Sequence, residues 1–288
     1  MGQRLRIVIA VIGVMALFAG SAQAQTAQRP AATTETRGQL GASINNAGLQ
    51  QSFDWAWQRP LSASKGLLLS EAHVALGGTA ALTPAALRGG AWVEIAPVSF
   101  FVVRAGVDPS QYFGTFDALT SFESRTDAFD SDARKARATA KAGRATKFYV
   151  EPTLQIRVGH VAGKSTLGVE RWSASVAGPL FYEPTRDALM AVSGDRLTTW
   201  STVVLYEHRQ KGGGTLSVGP MHSLTRVHGN TLNQIQRVGA VLVEQTTGRH
   251  FGLRAPRATI LVAHYLDDAS KRGEWSAAVA VGFALRHR

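Results

Sequence analysis

Residues 148–160 read FYVEPTLQIRVGH, and the side chains change character at every step. Val150, Pro152, Leu154, Ile156 and Val158 fall in one set; Glu151, Thr153, Gln155, Arg157 and Gly159 fall in the other. Successive side chains of an extended strand point to opposite faces, so this spacing predicts a strand with one apolar and one polar face. The same alternation runs through 274–286, where Trp275, Ala277, Val279, Val281, Phe283 and Leu285 interleave with Ser276, Ala278, Ala280, Gly282 and Ala284. It recurs where Phe53, Trp55 and Trp57 alternate with Ser52, Asp54, Ala56 and Gln58. Period two predicts strands near 38–46, 49–59, 66–78, 88–96, 98–107, 147–160, 164–176, 198–209, 214–226, 233–245, 256–266 and 274–286. The faces switch in VERWSASV near Glu170–Arg171, which predicts a bulge there. One stretch has helical character, SDARKARATAKAGRA at 131–145, inside a long connection. Glycine, at 29 of 288 residues, suits strands and turns better than helices.

A soluble barrel hides its apolar face inside, whereas a transmembrane barrel turns it out to lipid. Here the non-apolar face carries ionisable or amide groups in mid-strand. Glu71, His73, Glu94, Arg104, Glu151, Gln155, Arg157, Glu170 and Glu207 are therefore the expected lumen-lining residues. Strands of about 9–13 residues match a tilted bilayer span. Short links at Ala96–Pro97, 161–164 and 210–213 and long ones at 108–146 and 177–197 largely alternate with strand parity. The sequence thus predicts an all-β antiparallel transmembrane barrel of 12 strands, with ten as the alternative, and a long external loop near 108–146.

The opening MGQRLRIVIAVIGVMALFAGSAQAQT has Arg4 and Arg6, an uncharged apolar run over 7–19, and a small-x-small cleavage site at 22–24. That is the pattern of a secretory signal peptide, too short in its apolar run to span a bilayer. The expected domains are a signal peptide (1–24), a disordered periplasmic lead segment (25–37) and an outer-membrane barrel (38–288). With no cysteine there is neither a disulfide framework nor a lipid anchor on cysteine. The formal net charge of +11 points, in an exported chain, to an anionic membrane surface rather than nucleic acid.

The signal peptide, the alternation through 38–288 and the last strand together resemble bacterial outer-membrane β-barrel proteins. Such proteins end in a strand with glycine, alternating apolar residues and a final aromatic. Gly282, Phe283 and Leu285 match in part, but the chain runs on to RHR without that aromatic. The resemblance implies location and fold. Its expected partners are outer-membrane lipid, lipopolysaccharide, the barrel assembly machinery and a small solute.

Several short motifs invite other readings. GHVAGKST at 159–166 is one residue short of a phosphate-binding loop, since Val158 stands where the first glycine belongs and no helix follows. It reads as a hairpin with Val161–Lys164 as the turn, which would set Gln155 opposite Glu170 and Arg157 diagonal to it. SASK at 62–65 lacks the companion motifs of serine acylases and reads as a turn. In MHS at 221–223, His222 and Ser223 are adjacent and so face opposite sides of a strand. The eight histidines show no metal-ligand spacing, and no cofactor is expected. The 114–146 loop is acidic first (Asp117, Glu123, Asp127, Asp130, Asp132) and then basic (Arg134, Lys135, Arg137, Lys141, Arg144), a solvated external loop whose basic half could meet lipopolysaccharide phosphates. Tyr112, Phe113 and Phe116 before it are expected at the outer membrane interface. The expected function is a non-enzymatic narrow pore or small-solute binding barrel. The alternatives are an outer-membrane lipid hydrolase and a structural or adhesive barrel.

Overall fold

The computed structural model describes residues 32–287, apart from 46–47, 65, 138–141, 229–233, 248, 251–252 and 255. The expected signal peptide and most of the expected lead segment lie outside the described residues. In chain order the elements are β1 (Thr33–Ile44), β2 (Gly48–Pro60), β3 (His73–Leu82), β4 (Ala86–Val98), β5 (Phe101–Phe113), β6 (Ser121–Phe122), α1 (Ser131–Arg137), β7 (Ala142–Val158), β8 (Val161–Ser175), β9 (Leu180–Glu183), β10 (Ala188–Ala191), β11 (Asp195–Arg209), β12 (Thr215–Val227), β13 (Gln234–Gln245), β14 (Arg249–His250), β15 (Leu253–Arg254), β16 (Arg257–Asp267) and β17 (Trp275–His287).

Twelve long strands close into one antiparallel barrel in the order β1-β2-β3-β4-β5-β7-β8-β11-β12-β13-β16-β17, with β17 pairing back onto β1. Closure leaves no strand edge, so every wall strand finds partners on both sides. The outward face is apolar and uncovered: Leu154 is 56 % exposed, Val158 69 % and Val279 49 %. A continuous belt of such residues would be untenable in water and is the natural surface of a barrel in lipid. The chain is thus a transmembrane barrel of the outer-membrane type. The tight links at 99–100 and 159–160 share one end, taken as periplasmic, and the long links 114–141 and 176–194 share the other.

Four details differ from the sequence reading. β1 starts at Thr33, so Thr33–Arg37 are wall rather than lead segment. Residues 61–72 form a periplasmic link, and β3 runs from His73 to Leu82, because the Ser- and Leu-rich segment SASKGLLLSE closes on itself through bonds such as Ser70 N–H to the Gly66 carbonyl (2.9 Å). The β7–β8 turn is Gly159–His160, not Val161–Lys164, since Gly159 takes a positive φ of 58° that an L side chain resists and so sets a two-residue turn. Gln155 therefore opposes Lys164, and Glu170 opposes Tyr149. The register of β8 continues past Glu170–Arg171; irregularities lie instead between Ile95 and Val98 and between Gln236 and Arg237.

The long external links fold inward as a lid. β6, β9 and β10 make a three-stranded sheet in which Phe181 opposes Ser121 and Glu183 opposes Ala188. Leu119, Phe181, Ala188 and Met190 of the lid pack with Tyr112, Trp172, Leu197 and Val227 on the inner wall, all at most 1 % exposed. Tyr112 is therefore core and not interface, whereas Phe113 and Phe116 are exposed. A second lid core joins Phe122, Phe129, Leu180, Tyr182 and Leu189. The charged loop serves this lid. Arg137 pairs with Asp127 (2.9 Å) and stacks on Phe122, while Arg134 approaches Asp117 (3.6 Å) and stacks on Tyr182. Two of its acidic residues, Asp117 and Asp127, thus pair with two of its basic ones.

Candidate functional site

The inner wall of β2 to β8 carries a connected set of charges. Cross-strand partners share a face, and Glu94, Arg104 and Glu151 lie side by side on β4, β5 and β7. Arg104 Nε donates to Glu94 Oε2 (2.8 Å), approaches Asp54 Oδ2 (3.6 Å) and lies 3.9 Å over the Trp92 ring. His73 Nε2 is 3.0 Å from the other Glu94 oxygen, and its Nδ1 donates to the Glu71 carbonyl (2.7 Å). The Trp92 ring fits because its partner across the ladder is Gly77, where a Cβ would strike the ring. Higher up, Lys147 pairs with Asp108 (2.8 Å). At the periplasmic end Arg157 pairs with Glu207.

The nine expected lumen-lining residues divide as follows. His73, Glu94, Arg104, Glu151, Arg157, Glu170 and Glu207 lie on the inner face. Gln155 shares that face near the periplasmic rim, where its amide donates to the Ser99 carbonyl (3.1 Å). Glu71 does not line the wall: it is exposed in the 61–72 link, because β3 begins at His73 rather than near 66 as the alternation suggested.

The lid adds a cluster that sequence reasoning missed. The tip of the β9–β10 hairpin, Glu183-Pro184-Thr185-Arg186-Asp187, is tied to three separate places. Glu183, fully buried, accepts from Arg88 on β4 (3.2 Å), the Tyr112 hydroxyl (2.7 Å) and Thr185 (2.6 Å). Arg186 forms a two-pronged pair with Glu170 on β8, whose second oxygen also accepts from Trp172 Nε1 (2.6 Å). Asp187 pairs with Lys271 in the β16–β17 link and accepts from the Tyr182 hydroxyl (2.6 Å). Burial disfavours the Arg186 cation, but the Glu170 carboxylate outweighs it and holds the guanidinium above its ordinary pKa. Burial, then the Asp187 carboxylate, pushes the Tyr182 phenol up, which keeps its proton on as a donor. The signal for this hairpin is in the sequence: LFYE and ALMA flank a polar, proline-containing turn.

The opposite wall, β11 to β17 and β1, is different. Val203 opposes Met221 and Val241 opposes Leu261 on the inner face, beside small residues such as Ala278, Ala280 and Gly282. A cavity of about 280 Å³ there is lined by Gln39, Arg257, Thr259, Ala280 and Gly282. His222 and Ser223 fall on opposite faces: Ser223 looks inward across from Ser201, and His222 looks to lipid across from Thr202, its ring 3.1 Å from the Gln236 amide. Among the described residues no group of three metal-ligating side chains occurs.

No family model matches the chain, and no curated protein matches it. Among solved structures it is similar to the β domain of the Bordetella autotransporter BrkA, at 11% identity over 90% of this chain and 100% of that one (TM-score 0.47). It is also similar to the NanC porin, at 9% identity over 88% and 100% (TM-score 0.40). A third is the translocator domain of autotransporter NalP from Neisseria meningitidis, at 11% over 96% and 95% (TM-score 0.33). At so low a likeness, what this barrel does has to be read from its own side chains.

Proposed function

We propose that the chain is a non-enzymatic outer-membrane barrel, exported by the signal peptide at 1–24, that acts as a narrow pore or small-solute binding barrel closed by a latched lid. The observation that carries this reading is the hairpin tip, whose Glu183, Arg186 and Asp187 each meet an opposite charge on a different part of the barrel. A hairpin serving only as packing would not need three ion pairs with partly buried cations, since such pairs add little net stability over apolar contacts. Charged latches can exchange for water or for solute charges, which suits a lid that opens. On this reading the partners are outer-membrane lipid, the barrel assembly machinery and the solute.

Single-channel recording in planar bilayers tests it. The wild-type barrel is expected to rest closed with brief openings, and the combined Glu183→Gln, Arg186→Gln, Asp187→Asn variant to give frequent, steady steps. A variant as silent as the wild type removes the pore. The lipid-hydrolase alternative rests on one observation, a polar row on the lipid-facing wall. Ser165 bonds Thr202 (2.9 Å) and accepts from Trp200 Nε1 (3.0 Å), and Thr202 opposes His222. Fatty-acid release from phospholipid vesicles by the wild type, lost in His222→Ala, would favour that alternative; no release sinks it.

A further inference from the structure

The outer wall carries a second polar feature, at the external rim. Arg171 on β8 and Arg196 on β11 are direct cross-strand partners, and Arg226 on β12 is the partner of Thr198, two residues from Arg196 on the same face. All three are exposed and face away from the lumen. Their outward direction follows from the register: Glu170, Leu197 and Val227, one residue away from each, are buried on the inner face.

Like charges set directly opposite in a ladder destabilise the pair. Arg104, Lys147 and Arg186 each meet a carboxylate, but among the described residues none lies within ion-pair distance of Arg171, Arg196 or Arg226. Among the described residues, Arg196 meets the His228 ring (3.2 Å), which brings no negative charge. The cluster sits at the lid end of its strands, directly above the lipid-facing Val169, Trp200 and Leu224. Whatever meets those apolar residues is acyl chain, so whatever meets the arginines is the headgroup of the same lipid. Arginine's planar fork binds phosphate through paired hydrogen bonds, and three such forks on adjacent strands about 5 Å apart match a phosphate better than a carboxylate.

We propose that Arg171, Arg196 and Arg226 form a binding site for a phosphate of the outer-leaflet glycolipid, the lipopolysaccharide of a Gram-negative surface. The bound phosphate takes the place of the absent carboxylate and relieves the Arg171–Arg196 repulsion. The site lies outside the barrel and does not depend on the lid or the pore: conductance can fail without touching it, and the reverse.

The test compares stabilities of the folded barrel in phosphatidylcholine bilayers with and without bisphosphorylated lipid A, using dephosphorylated lipid A as the control lipid. The wild type is expected to gain stability and to bind the bisphosphorylated form at least tenfold more tightly than the dephosphorylated one. Arg171→Gln with Arg196→Gln should lose that preference. Because the repulsion is gone, this variant should be at least as stable as the wild type in phosphatidylcholine alone. Arg59→Gln, on the outer face near the other rim, should behave as wild type. Equal gains for the wild type and the double variant, or equal binding of the two lipid A forms, overturn the proposal. So does displacement of lipid A by equimolar inorganic phosphate, which would make this a general anion site. If the double variant fails to fold, Arg226→Gln alone decides: a weakened lipid A preference supports the site, and an unchanged one removes it.

Discussion

The two inner walls of this barrel solve the same problem in opposite ways. From β2 to β8, the wall is charged and self-paired, with Arg104 shared between Glu94 and Asp54 and Lys147 on Asp108. From β11 through β17, Val203, Met221, Val241, Leu261 and small residues line much of it, and Arg257 stands beside a cavity with no carboxylate partner among the described residues. Charges held away from bulk water are tolerable when paired, and the first wall supplies the partners of Arg104 and Lys147 itself. The second shows fewer such pairs among the described residues and keeps space beside Arg257. The lid hairpin joins the two, since its tip is pinned to β4 and β8 on one side and to the β16–β17 link on the other.

The largest effect expected is at that junction. Arg186→Ala leaves the fully buried Glu170 without its cation, and uncompensated buried charges cost about 3–5 kcal/mol. The urea midpoint should fall sharply, or the lid should become open to protease. An unchanged midpoint with an intact lid would mean that the latch carries no load. Next is the contrast between lipid and lumen in β17. Val279→Arg puts a charge in the acyl region at about 2–4 kcal/mol, whereas Ala280→Arg points to the roomy wall and should be milder. Folding yields into vesicles measure both, and equal yields would contradict the assigned faces. Smaller again is the contrast between the walls. Arg104→Ala leaves Glu94 with His73 alone and Asp54 without its cation, and should cost about 1–3 kcal/mol, while Arg257→Ala strands no described carboxylate and should stay within about 0.5 kcal/mol. Parallel urea titrations would show whether the two arginines differ. Smallest is Lys164→Ala, which should alter no nucleotide binding because Lys164 lies within β8, opposite Gln155 and Val203. Any ATP affinity lost with it would restore the phosphate-loop reading.

The barrel was legible because lipid enforces period two: outward positions at bilayer depth are mostly apolar, so the pattern survives in 148–160 and 274–286 without help from tertiary contacts. The count of twelve, with ten as the alternative, needed the alternation of short and long links as well. Boundaries went astray where another constraint wins. Glu71 looked like wall because Glu71 and His73 alternate with Ala72, Val74 and Leu76, yet the 61–72 segment bonds within itself. The hairpin turn was misplaced because Gly163 competes with Gly159, and only the positive φ at Gly159 decides. The inner-wall charges could be named in sequence, but not their partners: Arg104 with Asp54 joins residues fifty positions apart through β3 and β4. The latch was hidden for the same reason. Glu183, Arg186 and Asp187 sit in what reads as an ordinary loop, and their meaning comes from Arg88, Glu170 and Lys271, brought close only by closure of the barrel.

The closed outer mouth can be tested in intact cells, because the chain has no cysteine of its own. A cysteine at Thr259, on the wall of the inner cavity, reports whether a bulky, membrane-impermeant maleimide can reach the lumen from outside. With the latch intact, Thr259→Cys should stay unlabelled in whole cells and react once the periplasmic face is opened. Adding Glu183→Gln, Arg186→Gln and Asp187→Asn should let the reagent in from outside. Rapid external labelling with the latch intact would contradict a lid that closes this barrel.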